Sequence, residues 1–280
     1  MAAATAQSIA ARIRTALKAP AAGSKPGDDG FRAGDPTATV QRIVVCQSPS
    51  VAVIRRTRPG ERTLIVSRED PFYFTLDTAG STPSMDWSNN LGPEVASNPI
   101  VAAKRSLIEG RGAVCYKVFY AWDKARPNAN SAGLAKALGV APATGPEVSG
   151  AYGTVAPTTL ARLGQDVSAR LKIRSLRAHG DPNLPVRKVA VLNGLVEIPR
   201  LARAIADPAV DAVILGETCE WEATPYFDDI ISEGRKIGML LVGYQTSDRY
   251  GVPALAELVR SVAGGVPVEE AYDDEPGWIA

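Results

Sequence analysis

The chain has 280 residues and a mass of 29.5 kDa, which is enough for one large domain or two lobes. It is 45% hydrophobic and 22% charged, a composition typical of a globular protein and unlike that of a disordered chain. With 31 basic residues against 30 acidic ones, the net charge of +1 argues against general nucleic-acid binding.

Histidine, cysteine and the apolar runs exclude further classes of protein. The single histidine, His179, excludes a zinc site built from several imidazoles. Three widely separated cysteines predict no disulfide framework and favour a cytoplasmic location. No apolar run approaches the roughly 20 residues that a membrane-spanning helix needs, so we expect no membrane partner.

Helical signals begin near the N-terminus. Ile9, Ile13 and Leu17 recur at helical spacing and predict a surface helix that covers a sheet. Further helices are predicted at Ala102 to Glu109, Ser131 to Leu138, Asp228 to Glu233 and Ala254 to Ala263. Apolar, β-branched runs alternate with these helices, which predicts an α/β fold class.

An internal repeat organises the chain. Each half has a Gly-Asp-Pro turn that is followed at the same spacing by an apolar strand. Two further pairs of blocks follow in the same order: a short strand that ends in acidic residues, and a Glu-Gly-Arg segment that precedes an apolar stretch with tyrosine and aspartate. The three pairs lie at 34–45 and 180–191, at 64–70 and 213–220, and at 109–123 and 233–248.

The repeat predicts a duplicated α/β unit whose two related lobes pack about a pseudo-twofold axis. We expect the first lobe at residues 1–141 and the second at 157–280, joined by a linker at 142–156 that is rich in proline, glycine and alanine. The second lobe is expected to end in a solvated acidic tail from Gly265 onward.

Acidic residues follow the predicted strands of both lobes, at the ends where ligands of α/β proteins gather. They are Glu69, Asp70, Asp123, Glu217 and Asp248. Carboxylates that converge would repel one another unless a metal cation or a basic side chain compensates them. Arg68, Lys124 and Arg249 each neighbour one of these acids, although adjacent strand residues point to opposite faces and need not reach them.

Six blocks, at 34–45, 69–74, 116–123, 133–139, 216–217 and 243–248, have the order and spacing of motifs in one known family. Together they resemble the Nif-three-like family, also called GTP cyclohydrolase I type 2-like, over residues 5–262. The resemblance implies a dinuclear metal centre between two related α/β lobes and a toroidal homohexamer.

The resemblance also implies positions for the metal ligands. The family's His-His pair before proline falls on Glu69 and Asp70, or with a one-residue shift on Arg68 and Glu69. Its His-x-x-x-Asp motif falls on Phe119 and Asp123.

A third family motif, Gly-His-x-x-Thr-Glu, falls on residues 243–248 and places Tyr244 and Asp248 at ligand positions. Every histidine of the family pattern is therefore missing, whereas its carboxylate positions remain acidic. The chain is identified as a divergent member of the family.

Two functions follow from this pattern, and no catalytic residue is assigned in either. In the first, the chain is a metal-free, oligomeric binding or scaffold protein in which Phe119 and Tyr244 fill the former ligand space. In the second, the four acids at ligand positions hold one or two divalent cations (Mg²⁺, Mn²⁺ or Ca²⁺) that assist a hydrolase. A cleft beside these positions is expected to contain Arg68, Glu217 and Trp221. The missing imidazoles favour the first function.

Overall fold

The computed structural model describes residues 4–19, 29–73, 97–145, 150–275 and 277. The chain divides into two compact units, each with its own sheet. Unit 1 comprises Met1–Ala125 with Val252–Asp274, and unit 2 comprises Arg126–Gly251 with Glu275–Ala280.

The elements are numbered in chain order. Up to residue 125 they are α1 (Ala6–Ala16), β1 (Gly30–Ala33), β2 (Arg42–Cys46), α2 (Val51–Arg56), β3 (Thr63–Ser67), α3 (Pro99–Gly110), β4 (Val114–Lys117) and α4 (Tyr120–Lys124). From residue 126 to 251 they are α5 (Ala129–Ala137), β5 (Ala141–Pro142), β6 (Ala151–Thr159), α6 (Leu160–Leu171), β7 (Arg177–His179), β8 (Pro185–Val196), α7 (Ile198–Ala204), β9 (Ala212–Thr218), α8 (Ala223–Ser232), β10 (Gly238–Leu241) and α9 (Tyr244–Arg249). The remaining elements are α10 (Val252–Val262) and β11 (Val268–Ala271).

Helix α1 illustrates why the predicted helices form. Thr5 and Ser8 make a reciprocal cap, in which each backbone N–H donates to the other side chain, at 3.0 and 3.2 Å. Ile9 and Ile13 are fully buried, as their helical spacing predicts. The other predicted helices correspond to α3, α5, α8 and α10. Within the described ranges, no helix is long and apolar enough to cross a membrane.

Unit 1 is built on a five-stranded sheet in the order β1-β4-β3-β2-β11. Strands β2, β3 and β4 are parallel and β11 joins β2 in parallel, whereas β1 is antiparallel to β4. Both faces of the central strand β3 are covered, so all five of its residues are buried and the run at 64–66 is apolar throughout.

Unit 2 has a six-stranded sheet in the order β5-β6-β8-β9-β10-β7. Strands β8, β9 and β10 are parallel, and β6 and β7 pair with them in the antiparallel sense. One face of the sheet packs against a core that includes Leu163 and Val167 of α6, and the other against a core that includes Leu201 and Phe227.

The repeat is visible in the strand order of the two sheets. Strands β1 to β4 and strands β7 to β10 have the same neighbours and the same relative directions. The two Gly-Asp-Pro turns also match. Gly34 and Gly180 both have a positive φ, of +81° and +111° respectively. A side chain on Gly34 would meet the carbonyl oxygen of the residue before β4, and one on Gly180 would meet that of the residue before β10. The predicted α/β fold class is confirmed.

Two helices are exchanged relative to the repeat. Helix α5 follows α4 in the first half but belongs to unit 2, and α10 follows α9 in the second half but belongs to unit 1. The first unit boundary therefore follows Ala125, whereas the sequence suggested residue 141. A sequence repeat marks where each copy begins and ends, and it carries no information on which sheet the last helix of a copy covers.

Two segments have more structure than their composition suggested. The predicted linker at 142–156 includes the first part of β6, which pairs with β8 through Ala151 and Val191. The expected solvated tail contains β11, whose Glu270 lies opposite Val45 of β2 and accepts a hydrogen bond from Arg260 at 2.9 Å. The edge of β2 would otherwise present unpaired N–H and C=O groups, which an acidic strand can pair as well as an apolar one.

Candidate functional site

At the carboxyl end of β3, the guanidinium of Arg68 contacts three of the residues at the implied ligand positions. It forms an ion pair with Glu69 and two hydrogen bonds with Asp123, from Nη2 to Oδ2 at 2.8 Å and from Nε to Oδ1 at 3.4 Å. It also lies 4.1 Å from the ring centroid of Phe119. Arg68 is 4% exposed, so the two carboxylates compensate its charge in a nearly dry site.

The sequence leaves open whether Arg68 reaches the neighbouring acids, and in the structure its guanidinium contacts both Glu69 and Asp123. Strand β3 ends at Ser67, so Arg68 and Glu69 lie beyond the pleat and their side chains do not alternate between faces. The basic side chain next to the acid is the one that compensates it.

Asp70 has separate partners. Its carboxylate lies 2.9 Å from Nε of Arg32 and accepts a hydrogen bond from the N–H of Phe72 at 2.8 Å. Burial raises the pKa of Asp70, and this effect outweighs the opposing influence of Phe72, Arg32 and the nearby lysines.

Two lysines are buried close to these acids. Lys117 at the end of β4 is fully buried, and Lys104 of α3 is 4% exposed, with its ammonium 4.7 Å from the ring centroid of Tyr73. Burial lowers the pKa of both lysines. Burial also raises the pKa of Cys115 to about 12, which leaves this thiol protonated and unreactive near neutral pH.

A distant carboxylate positions helix α4. Asp29 accepts hydrogen bonds from the N–H groups of Phe119, Tyr120 and Ala121 at 2.6, 3.0 and 2.8 Å. Helix α4 has no side-chain cap from its own N-cap residue, so Asp29 supplies it. Asp29 thereby orients the turn that carries Asp123. Sequence reasoning missed this residue because a cap that lies 90 residues from Phe119 leaves no local pattern.

In unit 2, amides surround the matching aspartate. Asp248 on α9 is 1% exposed and accepts a hydrogen bond from Nδ2 of Asn193, with Nδ2 of Asn130 at 3.5 Å. Arg200 fixes Asn193 by donating to its backbone oxygen at 2.7 Å and to its side-chain Oδ1 at 3.2 Å. Asp248 is therefore the centre of a buried polar network.

A bulge in β8 brings Asn193 to this position. The register with β9 shifts between Leu192 and Leu195, and Gly194 between them has φ of +68°. The N–H of Gly194 donates to Oγ of Ser247 at 2.9 Å, which ties the bulge to α9.

A cleft of about 640 Å³ opens at the carboxyl ends of β9 and β10, which is large enough for a small molecule. Glu217 and Tyr244 line it, together with Ser175, Arg177 and Gln245, which sequence reasoning missed. Trp221 and Arg68 were expected in one cleft with Glu217, but neither residue lines this cleft. Trp221 lies three residues beyond the end of β9 and is 64% exposed, and Arg68 belongs to unit 1.

The side chains at the implied ligand positions do not fit a dinuclear metal centre. Phe119 has no donor atom, Arg68 engages Glu69 and Asp123, and amides engage Asp248. In the described part of the chain, no group of three or more His, Cys, Asp or Glu side chains is arranged to hold a metal ion.

The whole fold is similar to that of several solved structures. Protein ybgI, described as of unknown function, is 21% identical with a TM-score of 0.71 over 98% of this chain and 100% of its own. Staphylococcus aureus protein SA1388 is 13% identical with a TM-score of 0.70 over 99% of both chains. A Bacillus cereus protein related to NIF3 is 12% identical with a TM-score of 0.69 over 100% of both. At these identities the likeness defines the class of fold alone.

The family follows from the sequence itself. The model of the DUF34/NIF3 family, NGG1p interacting factor 3, matches residues 103–273. The chain belongs to this family, which confirms the resemblance drawn from its motifs. No curated protein sequence matches the chain.

Proposed function

We propose that the chain is a metal-independent binding or scaffold protein that keeps the family fold without the family metal centre. The observation that carries this proposal is the position of the Arg68 guanidinium, which contacts Glu69, Asp123 and Phe119. The guanidinium already compensates the charges of Glu69 and Asp123, which leaves both carboxylates less available as metal ligands.

The cleft of unit 2 is the proposed ligand site. It lies at the carboxyl ends of parallel strands, where α/β proteins bind small molecules, and it combines the carboxylate of Glu217 with the aromatic ring of Tyr244. The family's name, interacting factor, agrees with a role in binding.

Assembly and location complete the proposal. We propose a homo-oligomer, a hexamer by family resemblance, because the fold is shared along the whole chain. Light scattering coupled to gel filtration measures its mass in solution. The buried free thiols of Cys46, Cys115 and Cys219 suit a reducing cytoplasm.

Metal analysis tests the central claim. We expect the native protein, purified without chelator or affinity metal, to carry no stoichiometric Mg, Mn, Ca, Zn or Fe. Arg68→Ala removes the internal cation and leaves Glu69 and Asp123 uncompensated, so we expect a lower unfolding temperature that millimolar Mn²⁺ partly restores. The wild-type chain should show no such rise. Arg203→Ala, an exposed arginine of α7, controls for the loss of a surface charge.

The competing function is a divalent-metal-assisted hydrolase of the GTP cyclohydrolase-like type, with a site made only of carboxylates. One or two equivalents of metal per wild-type chain, lost in both Asp123→Ala and Asp248→Ala, would overturn the proposal in favour of this hydrolase.

A further inference from the structure

A second cavity, of about 350 Å³, lies elsewhere in unit 2 and shares no lining residue with the cleft at Glu217. It opens between α6, the end of α5 and the irregular part of β6. The register between β6 and β8 breaks between Thr154 and Thr158, and Pro157 within the break has no N–H to donate to a ladder. The bulged residues 155–157 of β6 form one wall of the cavity.

The floor of the cavity is apolar. Leu138, Val140, Leu163, Val167 and Ile214 line it, and each of these residues is buried. The residues at 163 and 167 are one helical turn apart on α6 and present one continuous surface. Apolar walls of this kind favour the hydrocarbon part of a ligand over water.

The rim of the cavity carries a net positive charge. Arg162 and Asp166 form an ion pair at 3.3 Å, so their charges compensate each other. Arg170 lies one turn further along α6, and among the described residues no carboxylate or hydrogen-bond acceptor pairs with it.

The guanidinium of Arg170 lies beside the backbone just beyond α5. It lies so close to Gly139 that a methyl group there would come within 2.8 Å of Nη1. Gly139 has φ of +70° just beyond the end of α5, where a cation interacts favourably with the last carbonyl groups of the helix. The charged group therefore lies at the mouth of the apolar cavity.

We propose that this cavity binds a small amphipathic carboxylate, with its hydrocarbon part against Leu163 and Val167 and its carboxylate on Arg170. A planar guanidinium pairs with a carboxylate through two parallel hydrogen bonds, and no acceptor in the described part of the chain occupies the donors of Arg170. The cavity volume lies at the small end of ligand pockets, which selects a short acyl chain or a single ring.

Calorimetry with sodium octanoate as the probe tests the proposal on the full chain. We expect the wild-type protein to bind octanoate, and Arg170→Gln to weaken binding by about tenfold because a charge-assisted pair is lost. Octan-1-ol has the same chain without the charge and should bind more weakly than octanoate by a similar factor. Ala156→Phe fills the cavity from its exposed wall and should abolish binding.

Controls separate binding in this cavity from other effects. Arg203→Gln removes an exposed arginine of α7 outside the cavity and should leave octanoate binding unchanged. Circular dichroism and the urea midpoint should be unaltered in Arg170→Gln, since this side chain is exposed. Failure of the wild type to bind octanoate would overturn the proposal, as would undiminished binding in Arg170→Gln or Ala156→Phe, or equal binding of octan-1-ol. None of these results depends on the metal content that tests the proposed function.

Discussion

The two units compensate matching acids in opposite ways. In unit 1 the aspartate that follows β4, Asp123, is partly exposed and pairs with the guanidinium of Arg68. In unit 2 the aspartate that follows β10, Asp248, is buried and accepts from the amide of Asn193. Both acids lie four residues after an aromatic side chain, Phe119 in one unit and Tyr244 in the other. The repeat therefore preserves the acid while its partner differs.

The contrast extends to the other buried polar groups. Among the described residues, the buried charged side chains outside Asp248 all belong to unit 1, and unit 2 buries amides and hydroxyls instead. The loss of one acid from an ionic cluster costs less when a second acid still pairs with the same cation, as Glu69 does with Arg68. A network of neutral donors around one carboxylate depends on that carboxylate. The comparison teaches that the same strand ends can be stabilised by charge balance or by hydrogen-bond satisfaction.

The largest expected effect is the difference between two matched substitutions. Asp248→Ala leaves the amide of Asn193 buried without its acceptor, and we expect the free energy of unfolding to fall by about 3 kcal/mol. Asp123→Ala leaves Arg68 with Glu69 and some access to water, so we expect a loss of about 1 kcal/mol. Urea denaturation followed by circular dichroism measures both.

Asp248→Asn and Asp123→Asn serve as the shape-matched pair, because they keep the volume, remove the charge and replace one acceptor oxygen with an NH2 donor. Equal losses of stability in the two alanine variants would mean that charge balance in unit 1 and hydrogen bonds in unit 2 contribute equally, so the two units would not differ energetically.

A smaller effect is expected from the cap of α4. Asp29→Ala removes the acceptor of three backbone N–H groups, and we expect a loss of about 1–2 kcal/mol, the upper part of the range for a helix cap. Asp29→Asn keeps one acceptor oxygen and should retain more than half of this stability. Hydrogen exchange at Tyr120 and Ala121 should accelerate in the alanine variant, and unchanged exchange there would contradict the assignment of Asp29 as the cap.

The sequence predicts some features of these sites and not others, for physical reasons. The repeated strands are visible because turn chemistry and apolar runs are local signals, and so are the acids that follow them. The reach of Arg68 to both Glu69 and Asp123 is a matter of side-chain geometry beyond the end of a strand, which no spacing encodes. The cap from Asp29 and the exchange of α5 and α10 are long-range pairings, and they leave no local pattern in the chain.

The smallest expected effect concerns Lys104. Among the described residues, buried basic side chains occur only in unit 1. The ammonium of Lys104 has no hydrogen bond or ion pair to a described residue, and burial lowers its pKa. We expect Lys104→Met to raise the free energy of unfolding at pH 7 by about 1 kcal/mol, since methionine fills a similar volume without desolvating a charge. Thermal or urea unfolding across pH measures the change.

The pH dependence gives this last prediction its sign. Because the folded-state pKa of Lys104 lies below that of the unfolded chain, the unfolded state binds more protons in the interval between the two pKa values. The free energy of unfolding of the wild type therefore rises relative to that of Lys104→Met as the pH increases from the folded-state pKa towards the ordinary lysine value. The advantage of the methionine variant should shrink over that interval, and Lys136→Met, on the exposed side of α5, controls for the loss of a surface charge. A methionine variant that is less stable than the wild type at pH 7 would mean that Asp70 and the Tyr73 ring compensate the buried ammonium fully. The ionic cluster of unit 1 would then be as well satisfied as the amide network of unit 2.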